Sequence, residues 1–221
     1  MIYVTGDTHG FKESFDRLKK YNITLTTEDY LIICGDFGFI WKNTDDEKKI
    51  LDELEEFPFT ILWADGNHEN FDVINSLDVE HWNGGKIHRI RKNIFHLMRG
   101  QVFVIDGYKI FTMGGAYSMD RYCNLFWEAE LPCDAEYKEA VKNLNAHNNE
   151  VDIIITHTAP QKIIRKMGFY PDMHDRELTG FLEWIMFEHK FKKWYFGHFH
   201  IDSEIEENIT AIQEKVIPIE L

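Results

Sequence analysis

Five short apolar runs in this chain each stop at a cluster of polar, chemistry-bearing residues, and this restricts the fold more than any other feature. The clearest is Tyr30-Leu31-Ile32-Ile33-Cys34, which stops at Gly35-Asp36. The others stop at Asp7-Thr8-His9, Gly66-Asn67-His68-Glu69, Thr156-His157 and Gly197-His198-Phe199-His200. A short run of β-branched, aliphatic or aromatic residues bounded by a turn signal reads as a buried strand. Where such strands alternate with helical segments they lie parallel, and ligands gather beyond their carboxyl ends. All five clusters are therefore expected to meet on one sheet edge.

The chain in order supports that frame. Residues 2–5 form the first strand. Residues 11–21 follow with Phe11, Phe15 and Leu18 at helical spacing, and residues 30–34 complete a parallel strand–helix–strand unit. Thr44 caps a helix that carries Asp45, Asp46 and Glu47 in its first turn and Ile50, Leu51 and Leu54 on its apolar face; Pro58 stops it. Residues 59–64 are a third strand and 70–76 a short helix. Residues 87–90, 94–98, 101–105 and 108–113 read as antiparallel strands of a second β layer, with Asp106-Gly107 as a hairpin turn. Residues 117–132 are aromatic without periodicity and read as a long loop of the kind that is often functional. Asp134 caps a helix over 135–147, residues 151–155 are a buried strand, and 178–190 a helix with Phe181, Leu182 and Ile185 on one face. Residues 161–171 fit neither period well. A short strand at 194–196 and one or two closing strands in 209–219 end the series. No linker or repeat interrupts it, so one domain over 1–221 is expected.

Length and composition bound what such a fold can do. A chain of 221 residues can bury roughly 70% of its unfolded surface. The formal net charge of -14 disfavours long nucleic acid, whose non-specific affinity depends on Lys and Arg neutralising phosphates. It leaves small phosphoesters open, because metal ions invert the field locally. The three cysteines, Cys34, Cys123 and Cys133, show no metal spacing and point to free thiols in a reducing compartment. No run approaches the ~18 apolar residues of a membrane span, and no basic segment precedes an apolar one at the N-terminus, so a cytoplasmic location is expected.

Taken singly, the clusters are weak signals. Asp7 and His9, two apart in extended backbone, point the same way and can share an ion, yet a turn aspartate beside a surface histidine would look identical. His157 alone reads equally as a turn residue. His198 and His200 behind a glycine are stronger. Jointly they supply seven side chains, Asp7, His9, Asp36, Asn67, His157, His198 and His200, too many for one tetrahedral zinc. They suit two ions ~3.5–4 Å apart that share a carboxylate.

In this order and over residues 6–200, Gly6-Asp7-Thr8-His9-Gly10, Gly35-Asp36, Gly66-Asn67-His68-Glu69, Thr156-His157 and Gly197-His198-Phe199-His200 resemble the five signature blocks of the calcineurin-like metallophosphoesterases. The resemblance implies a four-layer αββα sandwich of two mixed β-sheets flanked by helices. It implies that Asp7, His9 and His200 bind one metal, that Asn67, His157 and His198 bind a second, that Asp36 bridges them, and that His68 lies near the leaving group. It departs from the family at Phe39, where an aspartate usually supports the ligands, and it lacks the Asp-Arg-Gly that protein Ser/Thr phosphatases carry after the bridging aspartate.

The expected activity is hydrolysis of small phosphomonoesters or phosphodiesters by a metal-bridging hydroxide, with His68 as general acid and Asn67 on a phosphate oxygen. The expected cofactor is a pair of divalent ions, manganese first, with iron, zinc or nickel also suited to mixed His, Asp and Asn donors. A nuclease or nucleic-acid end-processing enzyme on the same site is the alternative; a non-catalytic scaffold would have shed ligands. Substrate contacts are expected from Arg91, Tyr117, Arg121, Tyr122 and Trp127. His81, His88, His96, His147, His174 and His189 fit no block and read as surface or structural residues.

Overall fold

The computed structural model describes residues 1–118 and 126–220. In chain order its elements are β1 (Ile2–Thr5), α1 (Asp16–Lys20), β2 (Tyr30–Cys34), α2 (Asp45–Glu55), β3 (Thr60–Ala64), α3 (Phe71–Ile74), β4 (Val79–Trp82), β5 (Gly85–Arg91), β6 (Ile94–Leu97), β7 (Gln101–Ile105), β8 (Tyr108–Met113), α4 (Asp134–Ala146), β9 (Ile153–Thr156), α5 (Gln161–Lys166), α6 (Arg176–Glu188), β10 (Lys193–Phe196), β11 (Ser203–Glu206), β12 (Ile209–Ala211) and β13 (Val216–Pro218). None of the described helices is long and apolar enough to cross a membrane.

Two mixed sheets stack face to face. One has the order β13-β1-β2-β3-β6-β5-β4, the other β11-β12-β10-β9-β8-β7. The parallel strands are buried on both faces, as expected where helices cover a sheet. In β2, Ile32 and Cys34 point between the sheets with Val4, Leu62, Ile110, Ile153 and Ile155. Leu31 and Ile33 point the other way, onto Phe15, Leu18, Leu51 and Leu54 of the N-terminal helical segments. On the far side, Phe111, Ile154 and Trp194 pack against Ala140 and Leu144 of α4 and Leu182 and Ile185 of α6. The result is the αββα layering expected from the family resemblance.

Several local expectations need correction. Residues 87–98 were expected in the second β layer. Instead β5 and β6 belong to the first sheet, with β6 parallel to β3 at Ile61–Ile94. Only the β7–β8 hairpin opens the second sheet, and its Asp106-Gly107 turn has φ of 50° and 84°. Phe11 is 64% exposed, because a 3-10 turn over Lys12–Phe15 replaces the first part of the expected helix. The cap of α4 is Cys133, whose N–H donates to Glu136 Oε2 at 2.7 Å; Asp134 is already the first helical residue. The tail closes both sheets: β13 pairs antiparallel with β1, and β12 parallel with β10. Edge strands β4 and β11 had no apolar run to betray them, since much of each is exposed.

Candidate metal centre

The five clusters follow β1, β2 and β3, which are adjacent and parallel in one sheet, and β9 and β10, which are adjacent and parallel in the other. Their loops lock together through backbone hydrogen bonds. Thr8 and His9 donate N–H to the Asp36 carbonyl at 3.0 and 2.8 Å, and Gly10 donates to Phe37 O at 2.9 Å. His68 N–H donates to Asp36 Oδ1 at 2.8 Å, and His198 N–H to the Asp7 carboxylate at 3.2 Å. Such close approach leaves no room for a side chain at the glycines of these loops. A Cβ on Gly66 would stand 2.0 Å from Asp36 Oδ1, and one on Gly35, at φ +99°, would stand 1.9 Å from His157 Nδ1.

Around the buried carboxylates the donor atoms fall into two neighbourhoods. On one side His200 Nε2 is 3.2 Å and His9 Nε2 3.7 Å from Asp7 Oδ2, and the two imidazole nitrogens are 3.0 Å apart. On the other, His157 Nε2 is 3.3 Å from Asp36 Oδ1 and 3.2 Å from Asn67 Oδ1. Asp36 faces both, for its Oδ2 is 3.7 Å from His9 Nδ1. Among the described residues, three sets of His, Asp or Glu donor atoms lie close enough to hold an ion: Asp7, His9 and His200; Asp7, Asp36 and His157; His9, Asp36 and His68. His198 stands outside these sets, with its ring 4.9 Å from that of His157.

The electrostatics fit a cation. Burial alone would raise the carboxyl of Asp36, but the neighbouring His157, His68 and His9 hold it well below the usual range. Burial would lower His157, yet Asp36 and Asp7 lift it to about 10. The Cys34 carbonyl, 2.9 Å away, can only accept, so it fixes the proton on His157 Nδ1 and leaves Nε2 to face Asp36 and Asn67. His198 is lowered to about 4 by burial and by His157. A divalent ion would take the place of the protons in this cluster. Backbone strain gathers here too. His9, Asp36, His198 and His200 have φ of 48°, 47°, 66° and 52°, and the other positive-φ non-glycine residues are Asn or Asp outside the cluster. Such strain persists where the surroundings over-determine the geometry. The donor set, its charge and its geometry therefore fit divalent metal.

Residues outside the donor set brace these loops. Arg17, 7% exposed, donates to Gly6 O at 3.1 Å and Asp7 O at 2.8 Å, fixing the end of β1. Glu69 is fully buried and accepts from Phe37 N at 2.7 Å and Gly38 N at 3.3 Å. It thereby clamps the Asp36 loop from the neighbouring block. Phe39 has no polar role: it packs 4.8 Å from Phe37 in the core. Asp65, just before Gly66, accepts from Arg99 Nε at 2.8 Å and lies 3.1 Å from His96 Nε2. Burial would raise its carboxyl, but Arg99 and His96 hold it at about 2. His96 Nδ1 in turn meets His88 Nδ1 at 3.0 Å.

The proposed substrate contacts divide. Tyr117 lines a cavity of about 410 Å³ together with Asp36, Asn67, His68, His198 and His200. Arg91 is corrected. It pairs with Ile94, level with Ile61 near the start of β3, at the opposite end of the strand from Asn67, and its Nε donates to Asp52 at 2.8 Å. Trp127 reaches the site indirectly, donating to Asp72 Oδ2 at 2.9 Å and meeting Trp41 edge-on, which lies against His68. Arg121, Tyr122 and Cys123 lie outside the described residues.

Comparison with known proteins follows the same lines. The family described as calcineurin-like phosphoesterase matches residues 1–202. No curated protein sequence matches the chain. Among solved structures, a phosphopantetheinyl hydrolase from Mycobacterium tuberculosis is 16% identical, with 96% of this chain and 87% of that one covered, at a TM-score of 0.46. A protein of unknown function from Aquifex aeolicus is 14% identical, with 98% and 94% covered, at a TM-score of 0.36.

Proposed function

Because the chain belongs to the calcineurin-like phosphoesterases and is a metal-dependent phosphoesterase, we propose that it hydrolyses small phosphomonoesters or phosphodiesters at a pair of divalent cations. The ligands in this reading are Asp7, His9 and His200 on one side, Asn67, His157 and His198 on the other, and Asp36 between them. The observation that carries it is the placement of Asp36, whose two oxygens face separate histidines, His157 at 3.3 Å and His9 at 3.7 Å.

When bound, such a pair polarises phosphoryl oxygens and lowers the pKa of water. The chain's own groups do the rest. Asn67, on the cavity wall, donates through its amide N–H to a phosphate oxygen. His68 is half-buried beside Asp36 and gives its proton to the departing alkoxide oxygen as the P–O bond breaks. Glu69 and Arg17 hold the two aspartate loops still while this happens. The mixed oxygen and nitrogen donors suit manganese, iron, zinc or nickel.

His68→Ala separates the acid role from a ligand role. The variant should keep its bound metal. It should hydrolyse p-nitrophenyl phosphate, whose leaving group needs little protonation, far better than an alkyl phosphate. Loss of metal would make His68 a ligand, and undiminished alkyl phosphate turnover would remove it from the chemistry. The bis(p-nitrophenyl) ester run beside the monoester decides between the two ester classes.

A further inference from the structure

The cavity beside the metal centre has a second wall, supplied by Tyr117 and by the segment between α5 and α6. Facing the aspartate and histidine side are Tyr117, Phe169, Tyr170, Asp172 and Asp175. This wall is both aromatic and acidic, and among the described lining residues there is no lysine or arginine. Asp175 is 5% exposed; its carboxylate accepts a hydrogen bond from the backbone N–H of Tyr117, and its Oδ1 has no partner. A buried carboxylate oxygen left in that state costs free energy that a donor on a ligand would restore. Burial, and after it the nearby Asp172 carboxylate, pushes the Asp175 carboxyl up to about 6. Two like charges so placed both gain from a cation between them.

Two of the aromatic groups are held in place. Tyr117 stacks on His174 with centroids 4.5 Å apart and planes at 14°, and Phe169 packs on Phe199 at 5.3 Å. Tyr170 is 94% exposed at the rim, where its ring is open to a ligand. Carboxylates set among aromatic faces suit an ammonium group, through charge and through cation–π attraction. His174 lies between the two acidic residues in sequence and Arg176 follows them; both are exposed, but neither lines the cavity.

We infer that the wall formed by Asp172, Asp175, Tyr117 and Tyr170 binds the leaving-group end of the substrate and selects one that carries a protonated amine. The substrate class is then a zwitterionic phosphoester, with its phosphoryl group at the metal side and an ammonium some ångströms beyond the ester oxygen. This rests on the phosphoesterase reading above. It disfavours substrates with a second anion on the leaving group, such as a further phosphate or a carboxylate.

The test uses three aryl phosphates that differ only in the para substituent: aminomethyl, methyl and carboxymethyl. With the metal-loaded full chain, kcat/KM should fall in that order, by about tenfold at each step, since tenfold corresponds to about 1.4 kcal/mol. The difference should sit mainly in KM. In Asp172→Asn, an exposed change that spares the core, the aminomethyl-to-methyl ratio should drop at least about threefold, and in Asp175→Asn further. Equal rates for all three esters in the wild type, or a preference for the carboxymethyl ester, would overturn the inference. If none is hydrolysed, the phosphoesterase reading fails by itself. Calorimetric binding of the matching aryl phosphonates then still tests the wall, with tighter binding of the aminomethyl compound expected and equal affinities contradicting it.

Discussion

At the scale of single residues, the account turns on how Asp36 is held. It sits at positive φ, its carbonyl accepts from Thr8 and His9, and its carboxylate accepts from His68 N–H. The clusters that carry donor atoms were legible because polar residues at the ends of buried strands need a reason to be there. Glu69 was visible inside its block, yet nothing in the sequence said what it touches, because its partners are 31 and 32 positions away. Arg17 gave no signal beyond a charge on a short helix. Phe39 looked like a missing carboxylate and is a core side chain, with the clamp supplied from another loop. Glu69→Gln keeps the size but loses one acceptor oxygen, so a backbone N–H is left unpaired. Metal affinity or activity should fall about 10- to 100-fold, the usual range for groups that orient ligands. Metal retention on a chelator titration checks this, and Glu69→Asp should recover part of the loss. Gly66→Ala should be worse than either, since its Cβ would collide with the Asp36 carboxylate. The measurement is metal content after purification, with near-complete loss expected.

At the scale of elements, the parallel strands could be read directly, because β1, β2, β3, β9 and β10 are covered on both faces and so appear as continuous apolar runs. Membership of β5 and β6 could not be read, since a hairpin pattern looks the same whichever sheet it joins. The edge strands β4 and β11 stayed hidden for the opposite reason, a lack of buried positions. The stitch between the end of β3 and the second sheet was also hidden. Asp65 accepts from Arg99, and its carbonyl accepts from Gly115 N–H at 2.9 Å just past β8. Arg99→Met would leave the buried Asp65 carboxylate with His96 as its one remaining side-chain partner. That should destabilise the fold by about 3–5 kcal/mol, the cost of breaking one side of a buried pair. Urea unfolding of the two proteins measures it, and a change under about 1 kcal/mol would show that the pair is not a structural tether.

Across the whole molecule, the charge of -14 and the metal site are not in conflict: the carboxylates of the centre lie among histidines, and much of the rest is solvated surface such as the first turn of α2. Composition weighed against long nucleic acid as a partner, but it could not say where the acidity lies, and some of it lines the cavity at Asp172 and Asp175. Stability should depend on pH through His88. Burial and His96 lower its pKa to about 4, so between pH 6.5 and 4 the folded form keeps it neutral while the unfolded chain takes up a proton. The unfolded state then binds more protons, and stability falls as pH drops through that window. Metal-free wild type should lose more stability between pH 7 and 4.5 than His88→Asn, in paired urea titrations; equal losses would exclude His88 as the source.

The claim on which the rest depends is that Asp36 joins two ions into one working centre. Its most direct test is titration of the chelator-stripped chain with Mn²⁺, following bound metal and p-nitrophenyl phosphate hydrolysis together. Activity should rise until two ions are bound per chain, and Asp36→Asn should lose metal and activity in parallel. Full activity with one ion bound, or an undiminished metal complement in Asp36→Asn, would contradict the account.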